Sequence, residues 1–242
     1  MNQSFVDLVI GEHALRLHWA TDVFRPNNTT QKIADRVENL QGATVLELGC
    51  GVAPLALYAA LEGAREVVAS DIMPRAVELA HRNVEKYDLL DKVTILCGDL
   101  FEPVGDRKFD IIINDVSGIA ESVARMSPWY PPNVPSGGED GTDHVNRMIN
   151  ESGRHLTAGG QLYFAVASFS NVDKIMTNAR EVYGENIEQL SSSRFPFCAE
   201  LKDGIEVLER LQDTGKISFE SRRSRYLWTL NVYKAWGAGA TY

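Results

Sequence analysis

The chain contains few cysteines, and their spacing supports neither a disulfide framework nor a structural zinc site. The three cysteines, Cys50, Cys97 and Cys198, lie far apart and lack the paired spacing of metal ligands. No apolar run approaches the roughly 20 residues that cross a bilayer. The N-terminus, with Asp7 and Glu12, lacks the basic-then-apolar order of a signal peptide. The sequence therefore predicts a cytoplasmic protein that does not contact a membrane and binds no metal.

Positive charge is also scarce. Lys and Arg number 24 against 33 Asp and Glu, which gives a formal net charge of -9. Because such a surface does not neutralise a phosphate backbone, nucleic acid is not expected as a partner. A local basic cluster, Arg222, Arg223 and Arg225, alternates with strand-like residues and is interpreted as a solvated sheet face.

Short apolar runs alternate with amphipathic stretches from Thr44 onward, a pattern typical of βαβ units and a mostly parallel sheet. The predicted strands are 44–48, 67–70, 93–97, 109–113 and 161–167, with two closing strands in 216–234. The predicted helices are 54–61, 74–87, 142–155 and 171–183, and 127–141 is predicted to be a long ordered loop. The length fits one domain over 1–242, with an N-terminal extension (1–43) and a core (44–242).

Two short segments have more specific predictions. Leu15, Leu17 and Trp19 alternate with polar residues, which predicts a half-buried strand in the N-terminal extension. The helix that follows is expected to be capped by Asn28 or Thr29, because short polar side chains satisfy free N–H groups. The segment 158–160, Ala-Gly-Gly, is predicted to be a turn before the fifth strand of the core.

The segment 45–51, Val-Leu-Glu-Leu-Gly-Cys-Gly, predicts a buried strand that ends in a tight glycine turn. Glycine lets a cofactor approach the backbone, but a glycine pair alone also occurs in nicotinamide-dinucleotide sites. Two features in and just after this segment count against a dinucleotide. Pro54 stands where the dinucleotide pattern has a third glycine, and Glu47 places a carboxylate where a pyrophosphate would be repelled. The same carboxylate favours a cationic cofactor that contains an amino acid.

Two further acids follow the next two strands. Asp71 comes twenty residues after Gly51, where a carboxylate can accept hydrogen bonds from ribose hydroxyls. Asp99 closes the third strand of the core and is placed to accept from an adenine amino group. Because the carboxyl ends of parallel strands meet at one edge of the sheet, these acids and the glycine turn are predicted to form one ligand site.

These residues, in this order, resemble the class I methyltransferases that use S-adenosylmethionine (SAM). Within that superfamily the chain is similar to the HemK-like glutamine methyltransferases in the segments 24–29, 98–103 and 137–143. The resemblance implies a Rossmann-like α/β three-layer sandwich, with a mostly parallel seven-stranded sheet whose last strand is antiparallel. It also implies SAM as the cofactor, held by Glu47, Gly49, Cys50, Gly51, Asp71, Ile72, Met73, Asp99, Leu100 and Asn114.

The chain departs from the HemK-like pattern at the end of the fourth core strand. That family has Asn-Pro-Pro-Tyr there, and here Asn114 is followed by Asp115, Val116 and Ser117. We expect Asn114 to orient the methyl acceptor. We expect Asp115 either to accept a proton or to stabilise a positive charge that develops on the acceptor nitrogen, and the alternative role for Asp115 is a helix cap. The residues expected to line the acceptor site are Ser117, Trp129 and Tyr130.

Several functions are compatible with this departure. The sequence favours N-methylation of a small-molecule metabolite that carries an amine, amide or heteroaromatic nitrogen, because Asn114 is kept while the glutamine cradle is not. Protein-glutamine methylation is the alternative, against which Asp115 and Ser117 count. A small-molecule O-methyltransferase, a non-catalytic SAM-binding module and an NAD-dependent dehydrogenase are further alternatives. A release factor is not expected as the substrate, because the short segment before Thr44 leaves no room for a helical docking domain.

Overall fold

The chain folds into a large mixed β-sheet with helices on both faces and a separate two-stranded hairpin. The computed structural model describes residues 4–223 and 225–237. Its strands are β1 (Ser4–Ile10), β2 (His13–Trp19), β3 (Thr44–Leu48), β4 (Glu66–Asp71), β5 (Val93–Cys97), β6 (Phe109–Asn114), β7 (Leu156–Ala167), β8 (Ile187–Pro196), β9 (Glu220–Arg222) and β10 (Arg225–Trp236). Its α-helices are α1 (Asn28–Ala34), α2 (Pro54–Leu61), α3 (Pro74–Lys86), α4 (Glu121–Met126), α5 (Asp143–Ser152), α6 (Val172–Tyr183), α7 (Ala199–Asp203) and α8 (Ile205–Asp213).

The strand order of the large sheet is β5-β4-β3-β6-β7-β10-β8. The first five strands of this order are parallel, and β10 runs antiparallel to both β7 and β8. The predicted fold class is therefore confirmed, including the antiparallel last strand. The short strand β9 pairs with β10 and adds an eighth strand to the seven that the resemblance implies.

Two apolar cores lie on opposite faces of this sheet. One core joins the hairpin and helices α1 to α3 to the sheet, and the other joins α5 and α6 to it. Strand β3 is buried along its whole length, and the run Ile111–Ile113 in β6 is buried as well. A central strand covered on both faces needs apolar residues at consecutive positions, which explains the unbroken apolar runs of the sequence.

The buried side chain of Asn83 in α3 helps to anchor the hairpin of β1 and β2. The inner face of the hairpin is apolar and buried, with Leu15 3% and Leu17 0% exposed. The Oδ1 of Asn83 in α3 accepts a hydrogen bond from the His18 amide at 2.7 Å. The Asn83 amide group donates to the carbonyls of His18 (3.1 Å) and Val52 (3.0 Å). One buried amide thus joins the hairpin to the segment that follows the glycine turn.

Two predictions of local structure are wrong. The segment 158–160 is not a turn before a strand, because β7 begins at Leu156 and these residues form an irregular bulge within it, between the partners of Phe109 and Ile111 in β6. Glycine permits this bulge, since Gly159 has φ +83°. Asn27, not Asn28 or Thr29, caps α1, because the helix begins one residue earlier and the Asn27 side chain accepts from the Thr29 amide at 2.7 Å.

The region 187–213 was not predicted from the sequence and contains β8, α7 and α8. Together with the end of β10 it forms a third apolar cluster that includes Phe169, Phe197 and Leu208. The basic residues Arg222 and Arg225 are exposed in the β9–β10 hairpin, as the interpretation of a solvated face requires. Among the described residues, no helix has both the length and the apolar character needed to cross a bilayer.

Candidate active site

The turn after β3 requires glycine at two positions. Gly49 has φ +71° and Gly51 has φ +54°, in the left-handed region that disfavours residues with a Cβ. A Cβ on Gly49 would also lie 2.8 Å from Cγ1 of Val116. The amides of Gly49 and Cys50 donate to the Ser70 carbonyl of β4, at 2.9 and 3.0 Å. The turn therefore passes closely between the ends of β4 and β6.

A cavity of about 530 Å³ opens at the carboxyl ends of the parallel strands. It brings together all of the predicted site residues except Glu47, namely Gly49, Cys50, Gly51, Asp71, Ile72, Met73, Asp99, Leu100, Asn114, Asp115, Ser117, Trp129 and Tyr130. The Glu47 carboxylate is 1% exposed, and its Oε2 accepts from the Ala56 amide at 2.7 Å. Burial raises the pKa of Glu47 well above its ordinary value. Glu47 thus contacts the first turn of α2 and is not among the lining residues.

Asp71 holds the glycine turn against β4. Its Oδ2 accepts from the Gly51 amide and its Oδ1 from the Met73 amide, both at 2.8 Å. Burial raises the pKa of Asp71, and these two backbone donors oppose that increase. Each carboxylate oxygen keeps a second lone pair, so Asp71 can still accept from a ligand hydroxyl.

Asp99 and Leu100 occupy the neighbouring strand end. The Oδ2 of Asp99 lies 2.8 Å from the Arg147 guanidinium of α5, which fixes the carboxylate at the cavity wall. Leu100 adopts φ +48°, and its carbonyl accepts from the Ser70 hydroxyl at 3.1 Å. This corner is therefore held by the neighbouring strand β4 and by helix α5.

Asn114 and Asp115 lie side by side at the end of β6. Asn114 is 1% exposed; its Oδ1 accepts from the Val116 amide at 3.4 Å, and its Nδ2 has no partner among the described residues. The Asp115 amide donates to the Leu48 carbonyl at 3.1 Å. Its carboxylate Oδ2 accepts from the Thr30 hydroxyl at 3.0 Å, so it does not cap a helix. Burial raises the pKa of Asp115 to about 7.

Ser117, Trp129 and Tyr130 connect the end of β6 to the loop 127–141. The Tyr130 hydroxyl lies 2.6 Å from Ser117 Oγ and 2.7 Å from the Pro135 carbonyl oxygen. Since a phenol carries one hydrogen, Tyr130 donates to the carbonyl and accepts from Ser117. Burial raises the pKa of Tyr130 to about 12, so the phenol stays neutral. The Phe24 ring packs edge-on against Tyr130 and Trp129, with centroids 5.6 and 6.2 Å away.

Sequence reasoning missed several residues of the cavity. Thr30 was not predicted, because nothing in its spacing shows that α1 brings it to Asp115. His144 also lines the cavity, and its Nε2 is buried without a partner among the described residues. Later segments of the chain supply an apolar wall of the cavity. This wall includes Phe195, Cys198, Leu201, Trp228 and Leu230.

The charge of the cavity decides which cofactor fits. Asp71, Asp99 and Asp115 line it, and no Lys or Arg does within 4–223 and 225–237. Such a site repels the phosphates of a dinucleotide and attracts a cation. A Cβ on Gly51 would meet no protein atom within 4 Å, so that position faces open space where a ligand can approach the backbone. The residues present therefore fit SAM, which carries a sulfonium and an amino group.

Comparison with known proteins agrees with this geometry. The family described as "Methyltransferase small domain" matches residues 22–115. A ribosomal protein uL3 glutamine methyltransferase from Bradyrhizobium diazoefficiens is 39% identical over 123 residues, which cover 49% of this chain and 39% of that protein. A release factor glutamine methyltransferase from Rhodopirellula baltica is 31% identical over 162 residues, covering 64% of this chain and 55% of the relative.

The chain is similar to the HemK-like class I methyltransferases over part of its length. The chain spans about 39% and 55% of the length of those two relatives. Among solved structures it is similar to a 16S rRNA N2 G1207 methyltransferase from T. thermophilus in complex with AdoMet and guanosine. The TM-score is 0.62 at 18% identity, covering 96% of this chain and 50% of that one, and it supports the shared fold.

The prediction of a small-molecule methyl acceptor is wrong. Its relatives are named for ribosomal protein uL3 and for release factors, which are proteins. The prediction relied on the loss of Pro-Pro-Tyr after Asn114. The structure shows that Asn114 and Asp115 still present a hydrogen-bond donor and acceptor side by side, so the loss of that sequence does not remove a polar cradle.

Proposed function

We propose that the chain transfers a methyl group from SAM to the side-chain amide nitrogen of a glutamine in a protein. The observation that carries this proposal is the pair formed by the unpartnered Nδ2 of Asn114 and the carboxylate of Asp115, both in the cavity. A primary amide offers a carbonyl acceptor and an NH2 donor, which complement this pair. An unpaired buried amide costs about 1–3 kcal/mol, and a substrate carbonyl would remove that cost.

The residues of the cavity form two groups, one at the end proposed for the cofactor and one at the end proposed for the methyl acceptor. When bound, SAM supplies an electrophilic methyl group with its leaving group already in place, so the protein contributes mainly position. The turn from Gly49 to Gly51, with Asp71 and Asp99, would hold the cofactor at one end. At the other end, Asn114 and Asp115 would orient the glutamine amide.

The walls of the acceptor end suit the rest of a glutamine side chain. Phe195 on β8 and Trp228 on β10 are cross-strand partners, and their ring centroids lie 4.8 Å apart. Leu201 and Leu230 complete this wall. The aliphatic stem of a glutamine would pack against these apolar groups while its amide reaches Asn114. The relatives named as glutamine methyltransferases support the same acceptor chemistry.

The test is transfer of tritium from methyl-labelled SAM into a cell extract, separated into protein and small-molecule fractions. We expect label in protein. Because acid hydrolysis cleaves a methylated amide, it should release that label as volatile methylamine. Label that remains on an amino acid after hydrolysis, or that is confined to small molecules, would contradict the proposal.

Two asparagine variants sharpen this test. Asn114→Ala removes the amide donor and should reduce transfer by about 100-fold, the usual scale for the loss of one positioned donor. Asn150→Ala changes an exposed residue of α5 outside the cavity lining and should keep the wild-type rate. Equal rates for the two variants would exclude Asn114 from acceptor binding.

A further inference from the structure

The Asp115 carboxylate is held in place, but only one of its two oxygens accepts a hydrogen bond within the described residues. The backbone of Asp115 is fixed by its amide, which donates to Leu48 O at 3.1 Å. Its Oδ2 accepts from Thr30 Oγ1 at 3.0 Å, and this is the sole hydrogen bond of the carboxylate within the described residues. Asp115 lines the cavity beside Asn114. Its second oxygen is therefore available to a bound acceptor.

Within 4–223 and 225–237, no Lys or Arg lines the cavity to neutralise Asp115. The titratable residues of the cavity lining are Cys50, Asp71, Asp99, Asp115, Tyr130, His144 and Cys198. Glu47 lies behind them on β3, and the negative charge of Asp115 raises the pKa of Glu47. Burial raises the pKa of Asp115 itself, opposed by the Thr30 hydrogen bond. A buried carboxylate without a counter-cation binds a proton more readily than an exposed one.

We infer that Asp115 is the group that removes the proton from the acceptor nitrogen during methyl transfer. This inference rests on the proposed function. The amide nitrogen forms a bond to the methyl carbon while the carbon–sulfur bond breaks and its electron pair stays on sulfur. One hydrogen of the NH2 group passes to the Asp115 carboxylate as a proton, so the methylated amide leaves neutral. Before transfer, the same hydrogen bonds to Asp115 and orients the NH2 group.

This role has a defined pH dependence. Asp115 acts only as the carboxylate, so transfer should increase with pH through the pKa of about 7 and level off above it. Removing the Thr30 hydroxyl would take away a hydrogen bond to the charged form. The pKa of Asp115 would then rise further, and the midpoint of the profile would move to higher pH.

The experiment measures the initial rate of transfer from pH 5.5 to 9, with the protein fraction of the extract as acceptor. SAM and acceptor are kept at low concentration, where the rate follows kcat/KM and reports the pKa values of the free enzyme. Asp115→Asn keeps the shape of the side chain but cannot take the proton. We expect a loss of about 100-fold at pH 8, with no remaining increase near pH 7. Thr30→Val should shift the midpoint upward, and Thr30→Ser, which keeps the hydroxyl, should restore it. An unchanged pH profile in Asp115→Asn would overturn the inference.

A second measurement does not depend on activity. In protein carrying carboxyl-¹³C aspartate, the resonance that is absent from the Asp115→Asn spectrum should titrate near pH 7. A midpoint below pH 5 would exclude Asp115 as a base. The two proposals also fail differently. If wild-type protein labels no glutamine, the proposed function fails; if it labels glutamine with a profile that Asp115→Asn shares, only the role of Asp115 fails.

Discussion

At the scale of single residues, the two glycines of the turn serve different purposes. Both have positive φ, yet a Cβ on Gly49 would press against Val116, while a Cβ on Gly51 would point into open space at the cavity. Gly42 also has positive φ (+75°) and open space around it, but it lies outside the cavity lining. Substitutions at these three positions can therefore distinguish three effects. Gly42 tests backbone strain alone, Gly49 adds a steric clash, and Gly51 adds a loss of space in the cavity.

We expect Gly42→Ala to cost about 1–2 kcal/mol of unfolding free energy, the strain of a left-handed residue. Gly49→Ala should cost about 1–3 kcal/mol more than that, because its Cβ forces the end of β6 to move. Urea unfolding measures both changes. Equal losses for the two variants would show that the contact with Val116 relaxes freely.

Gly51→Ala should resemble Gly42→Ala in stability but should weaken SAM binding, since its Cβ takes space at the cavity wall. Calorimetric titration with SAM measures the change, and we expect an affinity at least tenfold lower than that of Gly42→Ala. A Gly51→Ala protein that binds SAM as tightly as Gly42→Ala would place the cofactor elsewhere in the cavity.

At the scale of helices and strands, the core elements were predictable because their patterns are local. The strand 93–97 and the helix 54–61 were predicted with the bounds that the structure has. Asp71, Asp99 and Asn114 line the cavity because they lie at or just after the carboxyl ends of parallel strands. The segment 187–213 was not predicted, because its packing depends on β10, some thirty residues later in the chain.

The wall that β8 and β10 form explains why half of the site could not be predicted from the sequence. Phe195 and Trp228 meet because their strands pair in this register, and no short-range pattern specifies that pairing. Thr30 and His144 reach the cavity in the same way, through the packing of α1 and α5. Spacing thus predicted the positions at the strand ends, whereas the wall of β8 and β10 depends on tertiary packing.

Two tryptophans of strand β10 allow a test of whether the wall of β8 and β10 binds the methyl acceptor. Trp228 lines the cavity, whereas Trp236 lies at the far end of the same strand, opposite Gln161. Trp228→Ala should raise KM for the protein acceptor by about tenfold with little change in SAM affinity. Trp236→Ala should leave both constants near wild type. Steady-state kinetics and calorimetry measure them, and a loss confined to SAM affinity in Trp228→Ala would refute an acceptor role for this wall.

At the scale of the whole molecule, negative charge is spread over the surface and is also concentrated in one cavity. The chain has a net charge of -9, and burial raises the pKa values of Asp71 and Asp115 in the cavity lining and of Glu47 behind it. A carboxyl group whose pKa is higher in the folded state favours folding while it is protonated. Without SAM, the cavity therefore opposes folding increasingly as the pH rises.

The stability of Asp115→Asn relative to wild type isolates one of these groups. Asp115 ionises near pH 4 when unfolded and near pH 7 when folded, so its favourable contribution is present below about pH 4 and is lost as the pH rises to 7. The unfolding free energy of Asp115→Asn minus that of wild type should therefore increase from pH 5 to pH 8. Urea unfolding without SAM at several pH values measures this difference, and a constant value would contradict it.

The Asn83 side chain links the N-terminal hairpin to the glycine turn, since it bonds to both His18 and Val52. Hydrogen exchange at the His18 amide should therefore respond to changes in the cavity, although no residue of the hairpin lines it. We expect changes in the buried face of the hairpin, such as those at Leu15 or Leu17, to loosen the glycine turn through Asn83. Such changes would alter the cavity without replacing any residue that lines it.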